Sequence, residues 1–188
     1  MDLKFTNQIF IEEEIKKVKD GKLIEFLQDA KSRFPDYFWT AAASKEKHHP
    51  PDERKKGGLV LHVRRLCALT EHMVRLYELN YWERDVLLAA SILHDAFSKG
   101  ESDKKKTSYS QPLHPLYVPL QFPYNADADR FIDKRLYDEI MECVVSHSGR
   151  FSVHPILNSN KKLPSIFQQM DYLASRENIF IDIEKAGK

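Results

Sequence analysis

The sequence predicts an all-α fold, and three observations predict it. Apolar residues recur at helical spacing through the middle and end of the chain. Alternating strand patterns are scarce. The long connection between the helical stretches is rich in proline. At 188 residues and 42% hydrophobic content, the chain can bury one substantial core and is short for two. We read a single compact unit overall, with residues 1–40 as an N-terminal helical extension and residues 41–188 as the main domain, a helical bundle with a long Pro-rich loop.

In chain order, the N-terminal third holds one or two short helices, around Glu12–Lys19 and Leu23–Lys31. Phe5 to Ile11 fits a short strand or an arm. Residues Ser44–Lys56 (SKEKHHPPDERKK) form a polar, Pro-containing loop that delivers the chain to Gly57–Gly58. From Leu59 to Leu79, apolar Leu59, Val63, Leu66, Leu69, Met73 and Leu76 recur at helical spacing, leaving Arg64, Arg65, Glu71 and Arg75 for solvent. Tyr81 to Phe97 is apolar nearly all round after Asp85, the pattern of a helix enclosed by protein, and it predicts the central core helix.

Between Gly100 and Asp127, Pro112, Pro115, Pro119 and Pro123 follow a lysine run at Lys104–Lys106 and predict a long loop. A connection of this length inside a domain is more often a lid or binding loop than a linker. Two further helices are expected, Asp129–Ser146 with Phe131, Ile132, Leu136, Ile140, Cys143 and Val144, and Ser165–Arg176 opened by Pro164.

Lys plus Arg number 29 against 28 Asp plus Glu, so the net charge of +1 gives no global signature of nucleic-acid or membrane-surface binding. No run of roughly 18 apolar residues and no leader-like N-terminal stretch is present, which predicts a cytoplasmic protein without membrane partners. Cys67 and Cys143 lie in apolar helical patterns and read as small hydrophobes rather than as a disulfide.

The histidines carry the chemistry. His62 sits near the start of the Leu59 helix and borders its buried face. His94 and Asp95 end the most apolar helix, where an imidazole beside a carboxylate is costly unless both are paired or coordinate a cation. His147 ends the next helix on the stripe of Leu136, Ile140, Cys143 and Val144, and Asp171 lies beside the buried face of IFQQMDYLASR. Four helices thus each direct one or two metal-binding groups inward, as helix bundles do around metal sites. Imidazole plus carboxylate suits Mn, Fe, Co, Ni or Zn, with Mg where carboxylate and water dominate.

The order His62, His94–Asp95, Asp171 resembles the H…HD…D signature of the HD superfamily of metal-dependent phosphohydrolases. The surrounding wording is similar too: GGLVLHV, AASILHDAFSKG, VVSHSG and MDYLASR, over roughly residues 40 to 178. Within the superfamily, AAASKEKHHPPDERKKGGLVLHV resembles the HD catalytic domain of bacterial 3′→5′ exoribonucleases. The resemblance implies that residues 41–188 are an HD domain in which His62, His94, Asp95 and Asp171 bind a first divalent metal. It also implies that Asp95 bridges to a second, held by His114 and His147. Asp95, Lys99 and Arg150 are the candidate catalytic residues, the two basic ones holding phosphate, with Lys104–Lys106, His48 and His49 as guides for a longer phosphodiester.

Three features depart from the family pattern. Ser98 stands where a lysine is frequent, Ser148 stands where a second histidine follows the first and leaves His154 as its substitute, and the N-terminal 40 residues are too few for an OB domain. The expected substrate is a phosphorylated small molecule or a short oligonucleotide, with larger nucleic acid left open. The alternatives are a di-iron oxygenase on the same scaffold and a non-catalytic nucleotide or metal sensor.

Overall fold

The structure, a computed structural model, describes residues 2–44, 47, 49–100, 110–125, 128–149, 159–179, 181 and 183, with backbone alone at 110–114 and 128. Among these residues the fold is all-α: α1 (Leu3–Ile15), α2 (Gly21–Ser32), α3 (Gly58–Leu76), α4 (Tyr81–Leu93), α5 (Ser110–Gln121), α6 (Lys134–Ser146) and α7 (Lys162–Ala174), with 3-10 turns at Asp36–Trp39 and Ala128–Arg130. No helix among them is long and apolar enough to cross a membrane.

Helix α4 sits in the middle and packs against α1, α3, α6 and α7. Its sequence explains this position. Val86, Leu87, Leu88, Ile92 and Leu93 are fully buried, and at about 1.5–3 kcal/mol each they supply on the order of 10 kcal/mol of apolar stabilisation. That is ample to carry the polar groups buried on the same helix. Asp85 is one of them: it accepts hydrogen bonds from the backbone N–H groups of Lys19 and Asp20, both at 2.9 Å, and so fastens the α1–α2 turn. A capping box of Asn80 and Glu83 starts α4.

Several expectations are corrected at element ends. Phe5 to Ile11 is helical, part of α1, because Asp2 caps that helix by accepting from the Lys4 N–H. Helix α3 stops at Leu76 rather than Leu79: Glu78 takes a left-handed φ of 51° and Leu79 turns back so that its N–H reaches the Val74 carbonyl at 3.0 Å. Regular α4 ends at Leu93, and tighter bonds from Ala96 to Leu93 and from Ser98 to Asp95 carry the chain through the His-Asp doublet. Helix α6 starts at Lys134 rather than near Asp129, because Asp133 caps it through the Leu136 N–H at 3.0 Å.

The stretch expected as a long Pro-rich loop contains α5, which packs on α6. Pro115 and Pro119 lie inside that helix, four residues apart and so on one face, where their missing N–H groups fall together. The lysine run falls outside the described residues. Arg64, Arg65 and Glu71 are also not left to solvent as expected. Their side chains are mostly covered, in ion pairs to Glu14, to Asp52 and Glu53, and to Arg84 respectively.

The start of α3 decides the local architecture of the site. Gly57 has φ +82°, and a Cβ on Gly58 would lie 2.0 Å from the Glu53 carbonyl oxygen. Only glycine admits that approach. The Glu53 carbonyl also accepts from the Ala43 N–H at 3.0 Å, and the amides of Gly57, which caps α3, and of Leu59 in its first turn are satisfied by the carbonyls of Thr40 and Ala41. The loop before α3 is thereby stitched onto the helix.

Candidate metal centre

Three helices bring His62 (α3), His94 (end of α4) and Asp171 (α7) to one place. Their donor atoms lie within 4.8 Å of one another. The His62 Nε2 is 3.1 Å from Asp171 Oδ1, and the His94 Nε2 is 4.0 Å from the same oxygen and 3.7 Å from Asp95 Oδ2. Asp95 thus borders the triad through His94. The rings pack into one wall, with His94 tilted against His62 at 5.5 Å between centres and edge-to-face with His147 at 5.1 Å and Phe167 at 5.6 Å.

The tautomers follow from the backbone. His94 Nδ1 lies 3.0 Å from the Ser91 carbonyl and His147 Nδ1 lies 2.6 Å from the Val144 carbonyl. A carbonyl only accepts, so each Nδ1 carries its hydrogen, and the neutral His94 ring presents its Nε2 as a bare lone pair. Both contacts run three residues back at a helix C-terminus, where carbonyls lack helical partners. The His94 Nε2 is buried with no hydrogen-bond partner and faces two carboxylates. A buried lone pair among anions is unfavourable unless something positive sits between them.

A divalent ion fits that requirement. Metal–nitrogen and metal–oxygen bonds of roughly 2.0–2.2 Å give donor–donor edges of roughly 3.0–3.5 Å. The two edges to Asp171 measure 3.1 and 4.0 Å and the edge between the two imidazoles lies within 4.8 Å, so the side chains close by up to about an ångström to grip the ion. Two imidazoles and a carboxylate are a donor set for first-row divalent metals.

The electrostatics agree on sign. Burial alone would raise the Asp171 carboxyl, yet its contact with His62 and the neighbouring His147 and His94 hold it down at about 2. Burial would lower the His62 imidazole, but Asp171 and Glu53 raise it well above its ordinary value. Burial lowers His94, with Asp95 and Asp171 pulling only partly the other way. His94 is the neutral ring of the pair.

No family model, curated protein or solved structure matches the chain. The case for a function therefore stands on the residues and their geometry.

Of the other predicted site residues, His147 lies beside His94 as described. His114 falls within α5, with its side chain outside the described residues. Arg150, His154 and His48 also fall outside them. Lys99 follows the doublet in a turn tied down by Tyr37, whose hydroxyl accepts from the Lys99 N–H at 3.1 Å and donates to the Gly100 carbonyl at 2.6 Å. The Lys99 ammonium rests 5.5 Å from the centre of the Tyr37 ring.

One residue escaped the sequence reading. Glu53, in the loop read as polar, has no exposed surface. Its Oε1 accepts from Arg65 Nη1 at 2.6 Å, while its Oε2 lies 3.0 Å from His49 Nδ1 and 3.5 Å from His62 Nδ1. Burial would raise this carboxyl, but the His49 and His62 rings and Arg65 hold it down at about 2. The sequence signal was the Gly57–Gly58 pair, which announces a backbone packed against the helix start.

Proposed function

We propose that this protein is an HD-type metal-dependent phosphohydrolase that hydrolyses a phosphomonoester or phosphodiester of nucleotide or short-oligonucleotide class. One observation carries the proposal: the partnerless Nε2 of His94 faces Asp95 and Asp171 beside the His62 ring. The order in which these residues occur along the chain, which resembles the HD signature, supports the same reading.

His62, His94 and Asp171 would hold the divalent ion, with Asp95 on its border and His147 and His114 available for a second. Bound there, such an ion neutralises phosphoryl oxygen charge and lowers the pKa of water from 15.7 to about 7 in the best case. Asp95 retains solvent access, with 16% of its side chain exposed, and is placed to accept a hydrogen bond that orients the attacking water. Hydrolysis forms one P–O bond to water oxygen and breaks one ester P–O bond, and the departing alkoxide takes up a proton. Lys99 and Arg150 would steady the phosphate. The two buried rings keep their Nδ1–H on helix carbonyls throughout, so neither needs to turn during the reaction.

The test is a screen of the Mn²⁺-loaded protein against nucleotides, cyclic dinucleotides, short oligonucleotides and chromogenic mono- and diesters. Turnover of at least one class is expected, and it should vanish in Asp95→Ala. An Asp95→Ala protein that keeps its metal and full turnover contradicts the assignment. Oxygen consumption by the iron-loaded protein, without phosphoester turnover, would move it to the oxygenase class.

A further inference from the structure

The three clustered rings do not share one source of order. His94 and His147 end their helices and give their Nδ1 hydrogens to carbonyls three residues back, at 3.0 and 2.6 Å. His62 lies near the N-terminal end of α3, where the carbonyls behind it are engaged in the helix. It needs an acceptor from elsewhere. Its Nδ1 is buried without a hydrogen-bond partner, and the atom facing it is the Glu53 Oε2 at 3.5 Å, from which a small closure of the two side chains makes the bond.

Burying a whole carboxylate on a loop is costly and calls for a reason. Arg65 does not supply it, since Asp52 at the surface already accepts from Arg65 Nη2 at 2.6 Å. The chain nevertheless gives up a side chain at Gly58 so that the Glu53 backbone can press against α3. With Oε1 held by Arg65, only Oε2 is left to face the two histidines, His49 at 3.0 Å and His62 at 3.5 Å.

We propose that Glu53 is a positioning residue of the metal centre: it takes the Nδ1 hydrogen of His62 and thereby fixes that ring with Nε2 bare and aimed at the cation beside Asp171. His49 shares the same oxygen and holds the carboxylate in place. The inference rests on the metal-centre reading above. Carboxylates that orient ligating histidines in this way commonly change metal affinity by about 10–100-fold. The same three side chains could instead be read as a cation site of their own, since their donor atoms also lie within 4.8 Å of one another. The Arg65 guanidinium on Oε1 argues against a second positive ion there.

The experiment titrates Zn²⁺ by calorimetry into wild type, Glu53→Leu, Glu53→Gln and His94→Ala, and reads the tautomer of His62 from long-range ¹H–¹⁵N spectra of the Zn²⁺-loaded proteins. Wild type is expected to show His62 protonated at Nδ1. Glu53→Leu should bind Zn²⁺ about 10–100-fold more weakly and lose that tautomer signature. Glu53→Gln, near-isosteric and with an amide oxygen that still accepts, should keep the signature and recover part of the affinity, which a merely structural loss would not do. A Glu53→Leu protein that binds as wild type with an unchanged His62 signal overturns the role of Glu53 alone. So does the loss of one whole Zn²⁺ equivalent with the remaining affinity unchanged, which would assign the cation to His49, Glu53 and His62. Wild type that takes up no Zn²⁺, or His94→Ala that binds as wild type, overturns the metal centre and the role of Glu53 with it.

Discussion

At the scale of single residues, His94 is the hinge of the account. Its Nε2 is a buried acceptor without a donor, a situation that costs about 1–3 kcal/mol in the metal-free protein. A bound ion turns that cost into affinity. Mn²⁺ at 100 times its Kd should stabilise wild type by about 2.7 kcal/mol, while His94→Ala should gain nothing; unfolding curves with and without Mn²⁺ read the difference. The carboxylates set the acid limit of the chelator-stripped protein. Asp171 and Glu53 are both held at about 2, below their ordinary 3.8 and 4.5. Each therefore contributes stability that is complete above its ordinary value and is lost as pH falls toward 2. His62 runs the other way: its imidazole is raised, so its contribution is complete below 6.5 and fades only as pH climbs through the raised value. Urea midpoints of the stripped protein should begin to fall below about pH 6.5, where the buried His94 ring resists the proton that the unfolded chain takes up, and fall steeply between pH 4.5 and 2; a midpoint flat down to pH 2.5 would contradict these pairings.

At the scale of elements, the loop before α3 does more than connect. Its approach depends on Gly58, where any Cβ would collide with the Glu53 backbone at 2.0 Å. Gly58→Ala should therefore destabilise the protein by about 1–3 kcal/mol or more and weaken metal binding along with it, measured by urea unfolding and Zn²⁺ titration. Gly21→Ala is the control, because a Cβ there meets nothing within 4 Å. The contrast explains what the sequence could and could not disclose. Helices α3, α4, α6 and α7 are legible because their apolar spacing is a local property, and His62, His94, His147 and Asp171 stand out as polar exceptions on those faces. Glu53 is hard to read, because no apolar periodicity surrounds it and the one local sign of its burial is the Gly57–Gly58 pair that lets its backbone meet the start of α3. Helix α5 misleads for the opposite reason: its prolines argue locally against a helix, and packing against α6 overrides them.

At the scale of the whole molecule, one apolar cluster runs from Ile11 to Ala174 and takes in residues of all seven helices, α5 contributing Val118. The polar centre lies inside it, where α3, α4 and α7 meet, and His147 at the end of α6 completes the wall. Such an interior strengthens electrostatic contacts and makes an unfilled site expensive. The central claim is that His62, His94 and Asp171 grip one ion. Anomalous diffraction from crystals grown with Mn²⁺ tests it most directly. An anomalous peak is expected at bonding distance, about 2.0–2.3 Å, from His62 Nε2, His94 Nε2 and Asp171 Oδ1. Crystals with saturating Mn²⁺ and no peak among those three atoms would contradict it.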